Sequence, residues 1–263
     1  MCASLAEADA MVNAVERHGV AFNMGTNRRW DPGFDRMREL IASGELGALR
    51  TLVIYANAEL FNNSSHAFDV AQRLNGDQPV TWVQGYLADG ERVVVGDDVV
   101  VDPRAEGMFG FANGVTVHAM GSPRRGEYEA ICDLGTITAC NNDSEFRLRR
   151  VHQGGTAARA VRTLVDEAFP TVTRASRTLR LIEDLVHGLD TGEPTRGGVR
   201  VARANTEIIF GFIESYRRGG QRVDLPLHDC RLRLNRNGRP KQPLYEPAAP
   251  FPDRRRPGVG ATS

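Results

Sequence analysis

Lysine is nearly absent from this chain. Of 33 basic residues in 263, only Lys241 is a lysine, and it stands in a proline-rich tail, which leaves arginine and histidine as the cationic side chains for site chemistry. Acidic and basic residues balance at 33 each, for a formal charge of zero; no polyelectrolyte partner is implied. The run Arg254–Arg256 has no aromatic interleaving, so no nucleic acid is expected. Four cysteines (Cys2, Cys132, Cys140, Cys230) show neither C-x-x-C pairing nor metal spacing. Cys132 and Cys140 flank Gly135 and can face each other across a hairpin, but free thiols in a reducing compartment are the expectation. Asp97, Asp98 and Asp102 lack a full cation ligand set, so no metal site is read there. No run of 18 apolar residues exists and the N-terminus has no h-region; a soluble, cytoplasmic chain without a membrane partner is expected. Neither G-x-G-x-x-G nor a P-loop occurs, so no pyrophosphate cradle is encoded.

Several elements are legible. Ser4-x-x-Glu7 is a capping box, and Leu5, Ala8, Val12 and Val15 form a stripe on a helix over 4–18 that Gly19 stops. Val20–Met24 then reads as a short strand. Asp31 caps a second helix with Pro32 at its first position; Phe34, Met37 and Ile41 line one face and Ser43-Gly44 ends it. Leu49–Tyr55 is a strand. Ser64 or Ser65 caps a helix over 65–75, carrying Ala67, Val70, Ala71 and Leu74. From Val80 to Val151 the pattern is a β meander: Val80–Leu87, a hairpin turning at Asn113-Gly114, then Glu127–Leu134, Thr136–Cys140 and Phe146–Val151. Helices come next at 174–190, with Leu179, Ile182, Leu185 and Val186 as the apolar face and Arg174, Arg177 and Arg180 as the solvated one, and at 198–218. Val223–Leu227 is extended, and 236–263 reads as an irregular tail.

The sharpest local chemistry is Asn62-Asn63-Ser64-Ser65-His66-Ala67-Phe68-Asp69. His66 falls in the first turn of its helix, where the dipole disfavours imidazolium and keeps the ring neutral. A neutral imidazole can take a proton from an alcohol. Asp69, at i+3, can orient the ring, and Asn62, one turn earlier, can bond a substrate hydroxyl. The spacing equally suits a surface histidine beside a solvated aspartate. Asn27, Arg28 and Arg29 precede a helix N-terminus whose dipole favours anions, so the arginines are not there to stabilise that helix; two solvated arginines is one reading of them.

In order and spacing these pieces resemble the Gfo/Idh/MocA family of NAD(P)-dependent oxidoreductases, from residue 1 to about 227. Met1–Ala8 resembles the segment just after the family's Glu-Lys-Pro motif. Asn27–Pro32 with Gly44-Glu45-Leu46-Gly47 resembles the crossover into the second domain, His66-x-x-Asp69 the catalytic-histidine helix, and Val199–Leu227 the closing helix and strand. The resemblance implies an α+β fold: an open, mainly antiparallel sheet with helices on one face, preceded by a remnant helix and strand of a doubly wound α/β domain. It implies residues 1–25 as that remnant, 26–235 as a substrate and oligomerisation domain, and 236–263 as the tail, with most of the N-terminal Rossmann domain lacking. It implies NAD or NADP as cofactor, a sugar, polyol or related small molecule as substrate, and homo-oligomer contacts through the open sheet face. His66, Asp69 and Asn62 are then the catalytic candidates, and Asn27 and Arg28 lie at the cofactor–substrate junction. Asn62 stands where many members carry aspartate. The family's Glu-Lys-Pro lysine and glycine-rich loop are missing. A non-catalytic binding or oligomerisation module is the alternative.

Overall fold

The computed structural model describes residues 2–55, 59–122, 126–156 and 159–235; the expected tail over 236–263 lies outside them. Helix α1 (Leu5–His18) starts where the Ser4 hydroxyl accepts from Glu7 N–H and stops at Gly19, whose φ of 61° is left-handed. Its stripe Leu5, Ala8 and Val12 is buried and packs against the helix near the end of the chain. Residues 20–24 are not a strand: they join no ladder, and Met24 N–H donates to Gly197 O instead. An extended segment becomes a strand only beside a partner, and none of the described strands runs along it. A 3₁₀ turn (Asn27–Trp30) leads to α2 (Pro32–Ala42), capped by the Asp31 carboxylate on Gly33 and Phe34 N–H.

Strand β1 (Leu49–Tyr55) is followed by a π-turn (Leu60–Ser64) that runs into α3 (Ser65–Leu74). Then come β2 (Val80–Leu87), the short α4 (Gly90–Val93), β3 (Val94–Val95), β4 (Asp98–Val99), β5 (Ala105–Phe111), β6 (Thr116–Met120), β7 (Glu127–Cys132) and β8 (Gly135–Cys140). The long β9 (Glu145–Thr156) and β10 (Arg159–Glu167) precede α5 (Arg177–Thr191), α6 (Val199–Arg217), β11 (Val223–Asp224) and β12 (Arg233–Leu234). The main sheet has nine strands in the order β10-β9-β8-β7-β1-β6-β5-β2-β11. β1 and β6 are parallel and its other pairs antiparallel. A small sheet, β12-β4-β3, reaches the start of the chain: Leu234 N–H donates to Ala3 O at 2.7 Å.

One sheet face holds the core. Leu52 and Ile54 of β1 and Tyr128, Ala130 and Cys132 of β7 alternate inward. α6 lies across β2, and Phe212 stacks on Phe68 of α3 at 5.3 Å, with Phe109 of β5 edge-on to Phe68. The opposite face is polar. Register places Val53, Glu129, Thr138 and Arg147 in one cross-strand row, and Tyr55, Glu127, Arg149 and Asp166 line the same groove, about 840 Å³ in volume.

Three readings need correction. The Asn113-Gly114 turn is longer than two residues: Phe111 N–H bonds Val115 O, and of that pair only Gly114 has positive φ. The meander does not end at Val151, because β9 continues to Thr156 and pairs with β10. Helix α5 is inverted. Leu179, Ile182 and Val186, expected inside, are 53%, 49% and 46% exposed, while Arg177 and Arg180, expected outside, reach Asp31 and Asp35 beneath the helix at 2.5 and 2.9 Å. Periodicity fixes that a helix has two faces, and here the carboxylates around α2 decide which one turns inward.

Candidate functional site

The π-turn before α3 is held by a carboxylate from the loop between β4 and β5. Asp102 accepts from Phe61 and Asn62 N–H at 2.9 and 3.1 Å. Ser65 Oγ–H donates to Asn62 O, and Asn205 of α6 donates to Ser65 O. These bonds fix the start of α3 and hence His66. The ring is half-buried, and its Nδ1 has no hydrogen-bond partner among the described residues. Burial lowers its pKa, the Arg28 charge lowers it further, and Asp69 opposes both. The neutral ring expected from the helix start is thus reinforced by desolvation and a neighbouring cation.

Asp69 does not orient that ring. It is fully buried, and both oxygens are occupied: Arg29 Nη2–H and Nε–H donate to Oδ1 at 2.6 and 2.9 Å, and Thr26 Oγ–H to Oδ2 at 2.7 Å. Arg29 is itself 0% exposed and reaches Asp77 through Nη1 and Nη2 at 2.9 and 2.8 Å. Asp69 and Asp77 hold the guanidinium protonated, well above its ordinary pKa, against burial. The reading of Arg29 as solvated is therefore overturned. With no competing water, a guanidinium forked onto two carboxylates is a structural rivet. It clamps the Asn27–Trp30 turn onto α3, close enough for the Arg28 charge to act on His66.

Arg28 is mostly buried, and its Nε–H donates to Asp143 Oδ2 at 3.1 Å and Nη2–H to Asn142 Oδ1 at 2.9 Å. Asp143 also takes Arg177 at 2.7 Å. The acceptors come from the β8–β9 turn, where Asn141, Asn142 and Asp143 have φ of 51°, 54° and 63°. Three successive left-handed non-glycine residues are costly, and such strain collects where a surrounding structure needs a particular geometry. Tyr128, from β7, completes the group. It is 4% exposed and packs edge-on against Phe34 at 5.2 Å. Burial pushes its hydroxyl pKa well up, with the Arg28 charge opposing and the Asp143 charge adding to the rise.

The structure therefore brings Asn62, His66, Asn27 and Arg28 to one end of α3, and takes Asp69 away as an anchor. Sequence reading missed Arg29, Asp143 and Tyr128. The Asn-Asn-Asp run is the one local sign, since these residues tolerate left-handed backbone; Tyr128 and Arg29 arrive only by sheet order and helix docking. The groups gathered there are hydrogen-bond donors and a neutral imidazole. They suit binding an alcohol or carbonyl and moving its proton. The described residues contain no glycine-rich strand-to-helix turn that fits a dinucleotide pyrophosphate.

No protein-family model matches the chain. A segment of 89 residues is 32% identical to the uncharacterized oxidoreductase YrbE of Bacillus subtilis, spanning 28% of this chain and 26% of that protein. Among solved structures, the aldose-aldose oxidoreductase from Caulobacter crescentus, complexed with glycerol, superposes with a TM-score of 0.66 at 17% identity, over 84% of this chain and 69% of that one. An oxidoreductase from Agrobacterium radiobacter in complex with NAD+, L-tartaric acid and magnesium superposes with a TM-score of 0.60 at 17% identity, over 84% and 70%. No helix among the described residues is long and apolar enough to cross a membrane. With its mostly antiparallel nine-stranded sheet and the helices across it, the chain shares the fold of these solved oxidoreductase structures over the superposed part.

Proposed function

We propose that this chain is the substrate-side part of a nicotinamide-dependent oxidoreductase acting on the carbinol or carbonyl of a small polyhydroxylated molecule. The observation that carries the reading is His66: half-buried, with its pKa lowered by burial and by the Arg28 charge, and with a buried Nδ1 that has no partner among the described residues. In this reading Asn27, Arg28 and Asn62 orient the substrate oxygens, and His66 accepts the hydroxyl proton on oxidation and returns it on reduction. Residues 1–25 border the dinucleotide-binding unit, whose cradle the described residues do not supply. Contacts between copies would use the polar sheet face around Glu129 and Arg147.

The test is turnover of a polyol and sugar panel with NAD+ or NADP+, read by reduced-nicotinamide absorbance. His66→Ala is expected to cut turnover by roughly 10²–10⁴-fold, and an unchanged rate removes His66 from the mechanism. The absent pyrophosphate cradle favours one second reading, a binding or oligomerisation module without redox chemistry. Micromolar binding of NADH or NADPH by the purified chain would contradict it.

A further inference from the structure

We infer that the groove at the C-terminal ends of α2 and α3 is a second ligand site, for a small aliphatic carboxylate whose head is forked by Arg38. The groove holds about 580 Å³ and is walled by the end of α2, the Gly44–Gly47 turn, the start of β1, the end of α3 and the β5–β6 turn. That volume lies within the usual range of small-molecule sites. Leu74 stands about two turns beyond His66 on α3, about 12 Å along the helix axis, so this groove is separate from the site around His66.

Arg38 is the anomaly in the groove. It is half-buried, its Nε is sealed from solvent, and it makes no hydrogen bond or ion pair among the described residues. A guanidinium carries five N–H donors and keeps its proton, so burying it without an acceptor costs free energy. The carboxylates nearest it in the chain and across the groove are all engaged. Asp35, one turn earlier on α2, is shared by Arg73, Arg180 and Arg196 at 3.2, 2.9 and 3.0 Å. Glu39 is taken by Arg36 at 2.8 Å, and Asp133 by Arg50, the other cation of the groove, at 2.8 Å. No acidic residue lines the groove itself. The unmatched charge is felt across the α2–α3 contact, where it adds to burial in lowering the pKa of Arg73.

The remaining walls select the ligand. The helix ends that border the groove are capped: Leu40 and Ile41 carbonyls accept from Ser43 Oγ–H and Gly44 N–H, and those of Ala71, Gln72 and Arg73 from Asn75, Asp77 and Gly76 N–H. Few bare carbonyls are left to repel an anion. Asn75 and Asn113 pair amide to amide at 3.2 and 3.0 Å, and each keeps a second N–H. Ile41 and Leu49 add half-buried apolar surface. One unmatched positive charge is balanced by one negative charge, a carboxylate fits the guanidinium fork, and the aliphatic walls take a short hydrocarbon tail.

The experiment titrates the purified chain with hexanoate, its neutral isostere hexanamide, and acetate, by calorimetry. Hexanoate is expected to bind at least tenfold tighter than either of the others. Arg38→Gln should weaken hexanoate roughly ten- to a hundredfold, the scale of a hydrogen bond to a charged group, and leave hexanamide unchanged, with Arg38→Lys recovering part. Asn113→Asp, at an exposed turn position, places a like charge in the groove and should also weaken hexanoate, which gives a reading independent of how α2 tolerates the Arg38 change. His66→Ala should bind hexanoate as the native chain does. Hexanamide or acetate binding as tightly as hexanoate, no hexanoate binding, affinity unchanged in both Arg38→Gln and Asn113→Asp, or hexanoate binding lost in His66→Ala overturns the assignment.

Discussion

Asparagine at position 69 keeps the size of aspartate and removes its charge. In the native chain Asp69 is 0% exposed and meets an Arg29 side chain that is also 0% exposed, at 2.6 Å. Removing one member of a buried pair leaves the other charge desolvated and typically costs about 3–5 kcal/mol. Two features set the lower end here. Arg29 keeps Asp77, which is 31% exposed, and the asparagine carbonyl can still accept from Thr26. About 3 kcal/mol is therefore expected, and a chain of this size loses roughly 2–4 °C of Tm per kcal/mol, so a fall of roughly 6–12 °C. Thermal denaturation followed by circular dichroism reads it. The double variant Arg29→Met with Asp69→Leu should cost less than the sum of the two single changes, because an apolar pair of similar bulk replaces ions that needed each other. A Tm for Asp69→Asn within about 2 °C of the native value, or strict additivity in the cycle, would refute the account of this pair as the clamp beneath the site.

Two further outcomes rest on packing. Gly85→Ala would place a Cβ 2.4 Å from the Phe212 ring, which is stacked on Phe68 and cannot swing away, so a loss of about 1–3 kcal/mol in urea unfolding is expected; a neutral result would mean that α6 moves freely over β2. Ile182→Arg with Val186→Gln alters only half-exposed positions of α5; stability should stay within about 0.5 kcal/mol while concentration-dependent association in light scattering declines, and unchanged association would show that this stripe is not adhesive.

The elements most legible in sequence were those whose signals are local. The Ser4 and Asp31 caps start α1 and α2 as expected, and Gly19 ends α1 where a left-handed residue is needed. The alternation in β1 and β7 marks which residues face the core. Helix α5 shows the limit of such signals. Its amphipathic period was visible, but the inward face was chosen by Asp31, Asp35 and Asp143, which sit far away in sequence. Residues 20–24 show another: strand propensity was present, and a pairing partner was not.

Sequence by itself determined that His66 opens a helix, where the dipole disfavours imidazolium; the burial and the Arg28 charge that lower its pKa came from the tertiary structure. Sequence also determined the β meander. Tertiary structure alone decided the chemistry around that ring. It assigned Asp69 to Arg29 rather than His66, since a buried guanidinium outcompetes an imidazole for a carboxylate. It brought the left-handed Asn141–Asp143 turn to Arg28, because sheet order and helix docking join residues that no local spacing connects.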